Sequence, residues 1–212
     1  LRREDLHADI RVLFAKPTLS VLAQAVEEAR RTGERGVIAP ANGIPPGCEA
    51  ITPQMLPLVA LDAAQVARIV AAVPGGAANI QDIYPLAPLQ DGILFHHLLQ
   101  TRGDPYLLST LLSFESRTAL DDFVQALQKV VDRHDVLRTA ILWDGLPEPV
   151  QVVWRQATMV VETIEVADGD AAARLAEIAD PRDARMDVRQ APLMRGVAAF
   201  DLRNQRWILL LL

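Results

Sequence analysis

The 212 residues are half hydrophobic and 23% charged, enough chain for one domain with a real core or for two small ones. A formal charge of −6, from 21 Lys and Arg against 27 Asp and Glu, argues against a nucleic-acid partner, whose phosphates call for a basic surface. The single cysteine, Cys48, rules out an internal disulfide. No apolar run approaches a membrane span and no signal peptide opens the chain, so a cytoplasmic protein is expected.

Thr18 follows Pro17 as an N-cap, and Leu19, Leu22, Ala23 and Val26 recur at the helix period until Gly33, which predicts a short amphipathic helix. Ile10, Val12, Leu13 and Phe14 form an apolar cluster against which it can pack. From Gly33 to Pro57 there are four Gly and five Pro, a composition expected of a semi-stiff linker and a domain boundary. Cys48 lies in that stretch between Gly47 and Glu49 without a base beside it, as a bystander thiol. The next helix is better specified: Asp62 is its N-cap, Gln65 completes a capping box, Leu61 staples Val66, and Val66, Ile69, Val70 and Val73 share a face before Pro74-Gly-Gly76.

The stretch Tyr84-Pro-Leu-Ala-Pro-Leu-Gln-Asp-Gly-Ile-Leu-Phe-His-His-Leu-Leu-Gln-Thr-Arg-Gly-Asp104 sets two adjacent histidines on an amphipathic helix that runs into a Gly-Asp turn. Helical pitch groups Leu89, Ile93 and His96, with His97 one step round and four residues after Ile93. Imidazole handles protons near neutral pH. Neighbours at i, i+1 diverge on a helix, so the pair is a weak metal signal, and one packed and one solvated histidine is the bland alternative.

Residues 106–115 alternate as a strand; Thr118 and Asp121 then mark a capping box, and Leu120, Phe123, Val124, Leu127, Val130 and Val131 predict a strongly amphipathic helix. Arg133 and His134 suit its C-terminus, whereas Arg138 falls inside an expected strand, 136–143, and needs a carboxylate or several carbonyls there. Strands are expected next at 150–154 and 158–166, antiparallel given the short connections, then a helix over 170–179 and a hairpin of 192–200 with 206–212. The run Ile-Leu-Leu-Leu-Leu at its end requires neighbours on both faces. These elements make an α+β, two-layer sandwich. The chain opens within a charged helical pattern and closes on an apolar strand, so a piece of a longer protein is expected.

Several of these segments resemble a nonribosomal peptide synthetase. His96, His97, Leu98, Gly103 and Asp104 fill the pattern HH[IL]xxxxGD of the dual epimerization/condensation subclass of condensation domains, and residues 51–58 and 74–80 resemble its entry segment. Arg133-His-Asp-Val-Leu-Arg-Thr139 is similar to the RHExLRT motif, with Asp135 for Glu, and Met186 to Arg195 is similar to FDLxxxPLxR, with Met for Phe. Phe14-Ala-Lys-Pro-Thr-Leu-Ser-Val-Leu-Ala23 resembles the final part of a peptidyl carrier domain. The resemblance implies a carrier remnant over 1–32, a linker over 33–57, and over 58–212 the entry helix and N-terminal lobe of a chloramphenicol acetyltransferase-like condensation domain.

By that resemblance the intact parent inverts the Cα of a carrier-bound peptidyl thioester and joins it to an acceptor amine. Its partners are upstream and downstream carrier domains, an adenylation domain and the domain's own C-terminal lobe. Phosphopantetheine arrives on the carriers, because the attachment serine is missing here: Ser20 follows Pro-Thr-Leu rather than Gly-Gly. No metal is implied. His96 and His97 are the candidates for the inversion step, with Gly103, Asp104 and Arg138 as structural support and the HHxxxDG motif expected only after residue 212. The imidazole pair and Arg138 are expected to line one crevice beside the final strand. A non-catalytic docking module and a stand-alone acyltransferase of the same fold remain the alternatives.

Overall fold

A computed structural model describes residues 18–32, 42–166 and 170–212, together with Val12 and Phe14. The chain divides into two units, Leu1–Ala41 and Asn42–Leu212. In the first, α1 (Leu19–Thr32) starts where expected, with Leu22 N donating to Thr18 O at 3.1 Å. Its shielded face carries Leu22, Ala25, Val26 and Ala29, while Leu19 and Ala23 of the predicted stripe are exposed. Of the apolar cluster expected upstream, Ile10 and Leu13 lie outside the described residues and Phe14 is exposed. Ser20 sits in the first helical turn, exposed, with its hydroxyl near that of Thr18.

The second unit begins inside the expected linker. Residues 33–41 lie outside the described residues, but from Asn42 onward the Pro/Gly-rich stretch is folded: Ile44, Cys48, Ile51 and Leu56 are buried in the same core as α2 (Ala63–Ala72). Residues 42–57, expected as linker, thus belong with the second unit. Prolines and glycines shape this strap, and its isolated apolar side chains fasten it. Arg155 adds a tie by donating from Nη2 to Ile44 O at 2.8 Å. The α2 capping box forms as predicted, with Gln65 N to Asp62 Oδ1 at 2.8 Å and Asp62 N to Gln65 Oε1 at 2.9 Å, and Leu61 and Val66 both enter the core.

That core covers a three-stranded antiparallel sheet of order β1 (Ile80–Pro85), β4 (Val150–Trp154) and β3 (Thr139–Leu142). Every residue of the central β4 is buried. A second sheet has the order β2 (Thr110–Phe114), β7 (Arg206–Leu211), β6 (Arg195–Asp201) and β5 (Val160–Ile164). Here β6 and β7 form the predicted hairpin, but β5 pairs with β6 in parallel, correcting the antiparallel expectation. A parallel neighbour needs a crossover, and α5 (Ala171–Ile178) provides it between β5 and β6. Asp170 caps that helix by accepting from Ala173 N at 3.0 Å.

Alternation along β6 and β7 sends Val197, Ala199, Ile208 and Leu210 toward α5, and Ala198 and Leu209 toward α4 (Arg117–Arg133). The second sheet is thus clothed on both faces, as its apolar run requires, and is locally three layers deep rather than two. On α4 the cap is Ser116, accepting from Ala119 N at 3.1 Å, rather than Thr118. The chain passes from the first sheet to the second at residues 155–159, where Gln128 of α4 donates to Ala157 O and accepts from Met159 N, both at 2.9 Å.

Candidate functional site

Helix α3 (Pro88–Leu99) starts with Pro at its first position, where no intrahelical N–H is required, and Gln90 turns back to accept from Ala87 N at 2.8 Å. Its buried residues are Leu94 and His97, three apart on one face. Leu89 and His96 are exposed, which corrects the face expected from pitch. The two histidines therefore diverge. His96 lies among the partly open rings of Phe95 and Tyr106, with centroids 5.8 and 6.1 Å away. His97 turns inward, where its Nδ1 is 2.7 Å from Asp104 Oδ2; both residues are about 5% exposed.

A carboxylate only accepts, so the contact fixes the proton on Nδ1 of the neutral imidazole and leaves Nε2 as the basic atom. Nδ1 makes the one hydrogen bond of this ring to another described side chain, and the ring lines a cavity of about 420 Å³. The cavity opens where the two sheets part, with Thr110 of β2, Ile141 of β3 and Leu211 of β7 in its wall. Tyr106, Leu107, Met186, Leu193 and Met194 are among the rest, so a base on a mainly apolar surface is what the sequence builds here.

Asp104 is held from several sides. Its Oδ1 accepts from Tyr106 N at 3.0 Å, its N–H reaches Pro181 O at 3.3 Å, and its own carbonyl accepts from Leu107 N at 3.2 Å. Gly103 precedes it at φ +67°, and a Cβ there would stand 2.4 Å from Pro181 O and 2.8 Å from Arg182 O. Only glycine fits such a close approach at positive φ. Arg185, for which no role was expected, donates from Nη2 to His97 O at 2.6 Å and from Nη1 to Gly103 O at 3.3 Å. One guanidinium thus bridges the end of α3 to the Gly-Asp turn. Nearby, the Asp187 carboxyl is held below its usual range chiefly by the hydrogen bonds from Arg189.

Arg138 does not belong to this crevice, contrary to expectation. It ends a 3-10 turn, Asp135–Arg138, before β3, and its buried guanidinium looks toward the end of β4. Nε donates to Val131 O at 3.2 Å, Nη1 to Trp154 O and to Arg155 O at 3.1 Å, and Nη2 to Asp135 Oδ1 at 2.6 Å. The demand for a carboxylate and several carbonyls is met, and the residue joins α4, β3 and β4. Of the five candidates, the structure brings together His97, Gly103 and Asp104; His96 and Arg138 stand apart.

Cys48 is buried and donates to Ala50 O at 3.1 Å, as a packing residue. Among the described residues no three His, Cys, Asp or Glu side chains converge to hold a metal ion, and no helix is long and apolar enough to cross a membrane.

Residues 80–212 match the family described as Condensation domain. Malpinin synthetase of Mortierella alpina is 48% identical over 99% of this chain, which spans 3% of that protein. Malpibaldin synthetase of the same organism is likewise 48% identical over 99% of the chain and is covered to 4%. Among solved structures, one described as SeMet-CT aligns with a TM-score of 0.54 at 18% identity, over 76% of this chain and 36% of its own. A four-domain nonribosomal peptide synthetase bound to AMP and glycine aligns at 0.50 and 12%, over 62% and 10%.

Proposed function

The chain belongs to the condensation-domain family of nonribosomal peptide synthetases, and from that premise we propose that its second unit contributes to a domain that forms a peptide bond between carrier-bound thioesters and first inverts the donor residue. In the bond-forming step the acceptor amine attacks the thioester carbonyl, the C–N bond forms as the C–S bond breaks, and the thiol leaves with a proton. The thioester also acidifies the neighbouring Cα–H, which a correctly placed base can remove to give a planar enolate and return once the enolate has turned its other face to that base. His97 carries that exchange through Nε2, while Asp104 holds the ring by Nδ1. His96 takes no part.

The observation that carries this reading is the buried Nδ1–Oδ2 contact of 2.7 Å, which leaves a basic nitrogen on an apolar cavity. The donor and acceptor arrive on phosphopantetheine arms of neighbouring carriers, since Ser20 lacks the preceding glycines of an attachment site. Residues 1–32 are the end of such a carrier, and an adenylation domain and the domain's remaining lobe complete the assembly.

The test is made in the complete synthetase. His97→Gln is expected to lower the yield of the inverted product by about 100-fold or more, while peptide formation from a donor supplied already inverted continues. His96→Gln is expected to leave the D to L ratio of the product, read by chiral chromatography, where it was. An unchanged D to L ratio in the His97 variant overturns the inversion step. Peptide formation that ignores the whole site returns the second unit to the docking alternative.

A further inference from the structure

A second cavity, of about 410 Å³, lies behind the first, and Met186 and Met194 line both. The two compartments differ in chemistry. In front of His97 no charged side chain reaches the wall apart from the His97–Asp104 pair, which is internally matched. Behind the methionines stand Glu162, Arg185, Asp187 and Arg195, and the buried Nε of Arg195 has no hydrogen-bond partner among the described residues. We propose that Met186 and Met194 form a septum that selects an apolar donor side chain, keeping the compartment beside His97 closed to the polar one behind. The inference rests on the proposed function, because it assigns the first cavity to the donor residue.

The physical basis is a difference in desolvation. An aliphatic or aromatic side chain entering the front compartment exchanges water for Leu107, Leu193 and the two thioethers, whereas an ammonium or carboxylate there loses its water and meets no charged group beyond the already paired His97 and Asp104. Methionine suits a dividing wall, since its unbranched, polarizable chain closes against ligands of varied outline without a fixed shape. Loss of either thioether would join the front compartment to one where Glu162 or Asp187 can meet an ammonium and Arg195 a carboxylate. The septum excludes as well as it binds, and its removal relaxes the exclusion.

The experiment uses the complete synthetase with the donor carrier loaded with an acyl-leucyl, acyl-lysyl or acyl-aspartyl group, and reads kcat/KM for peptide formation on each. The unmodified protein is expected to favour leucyl over both charged donors by at least about tenfold. Met186→Ala and Met194→Ala are expected to shrink that ratio by about tenfold through better use of the charged donors, while Met186→Leu and Met194→Leu keep it. A native preference for a charged donor, or alanine variants that hold the full ratio while remaining folded by circular dichroism, overturns the proposal. A relaxed ratio together with an unaffected D to L ratio in the His97 variant would sustain the septum and sink the inversion step, so the two readings fail separately.

Discussion

Two of the buried polar centres in the second unit, around Arg138 and around His97, differ in what they leave over. Around Arg138 every nitrogen of the guanidinium finds an acceptor, on α4, at the end of β4 or on Asp135, and the group lines neither cavity. Around His97 one ring nitrogen is matched by Asp104 and the other is not, and the ring lines a cavity. Burial alone therefore does not distinguish scaffold from chemistry. A matched centre stabilises, because buried carbonyls such as that of Trp154 lose a donor without it, whereas a centre with one spare atom can act.

The sharpest way to break the comparison is Arg138→Ala. It would take the guanidinium donor away from the carbonyls of Trp154 and Arg155, and a loss of about 3 kcal/mol is expected from urea denaturation. A loss below about 1 kcal/mol would show that the centre is not saturated. Gly103→Ala comes next. A Cβ at positive φ against Pro181 O forces the backbone to shift, at about 1–3 kcal/mol, and moves Asp104 with it, so the variant should lose the proposed inversion as well as stability. Arg185→Met is the mildest. It releases two carbonyls at the surface of the site, and inversion is expected to fall about tenfold, or about 1.4 kcal/mol, with Arg185→Lys restoring part of it. If the Met and Lys variants match the parent in inversion, Arg185 does not position His97.

Much of the frame was legible because the signals were local. The α2 capping box, the stripe of α4 apart from the exposed Val130, the bounds of β4 and the β6–β7 hairpin follow from residues within a few positions of each other. What escaped was non-local. Ile44, Ile51 and Leu56 look like stray apolar residues among prolines, and only the distant β1–β4–β3 sheet turns them into core. Short connections suggested an antiparallel β5, but the chain changes sheets after β4, and α5 then returns it parallel.

At the site, divergence of the two histidines was foreseeable from helix geometry. The partner of His97 was not, because Asp104 reaches it across a turn whose path depends on Gly103 lying against Pro181 and Arg182. Arg185, 88 positions from the His97 carbonyl it holds, carries no spacing signal.

The strand order of the second sheet bears on how the unit assembles. β2 is made early, yet its hydrogen-bonded neighbour is β7, with Phe114 opposite Trp207. On a ribosome, β2 must wait through the synthesis of β3 and β4 and then of β5 and β6 before its ladder can close. Loop closure of that length slows folding. Until then Thr110–Phe114 presents an open edge, a target for chaperones or for mispairing between nascent chains. Because β7 is the strand both flanks depend on, a synthetase engineered by cutting or grafting within 206–211 would leave two edges unpaired at once, and domain exchange in this family is better made at joints outside that ladder.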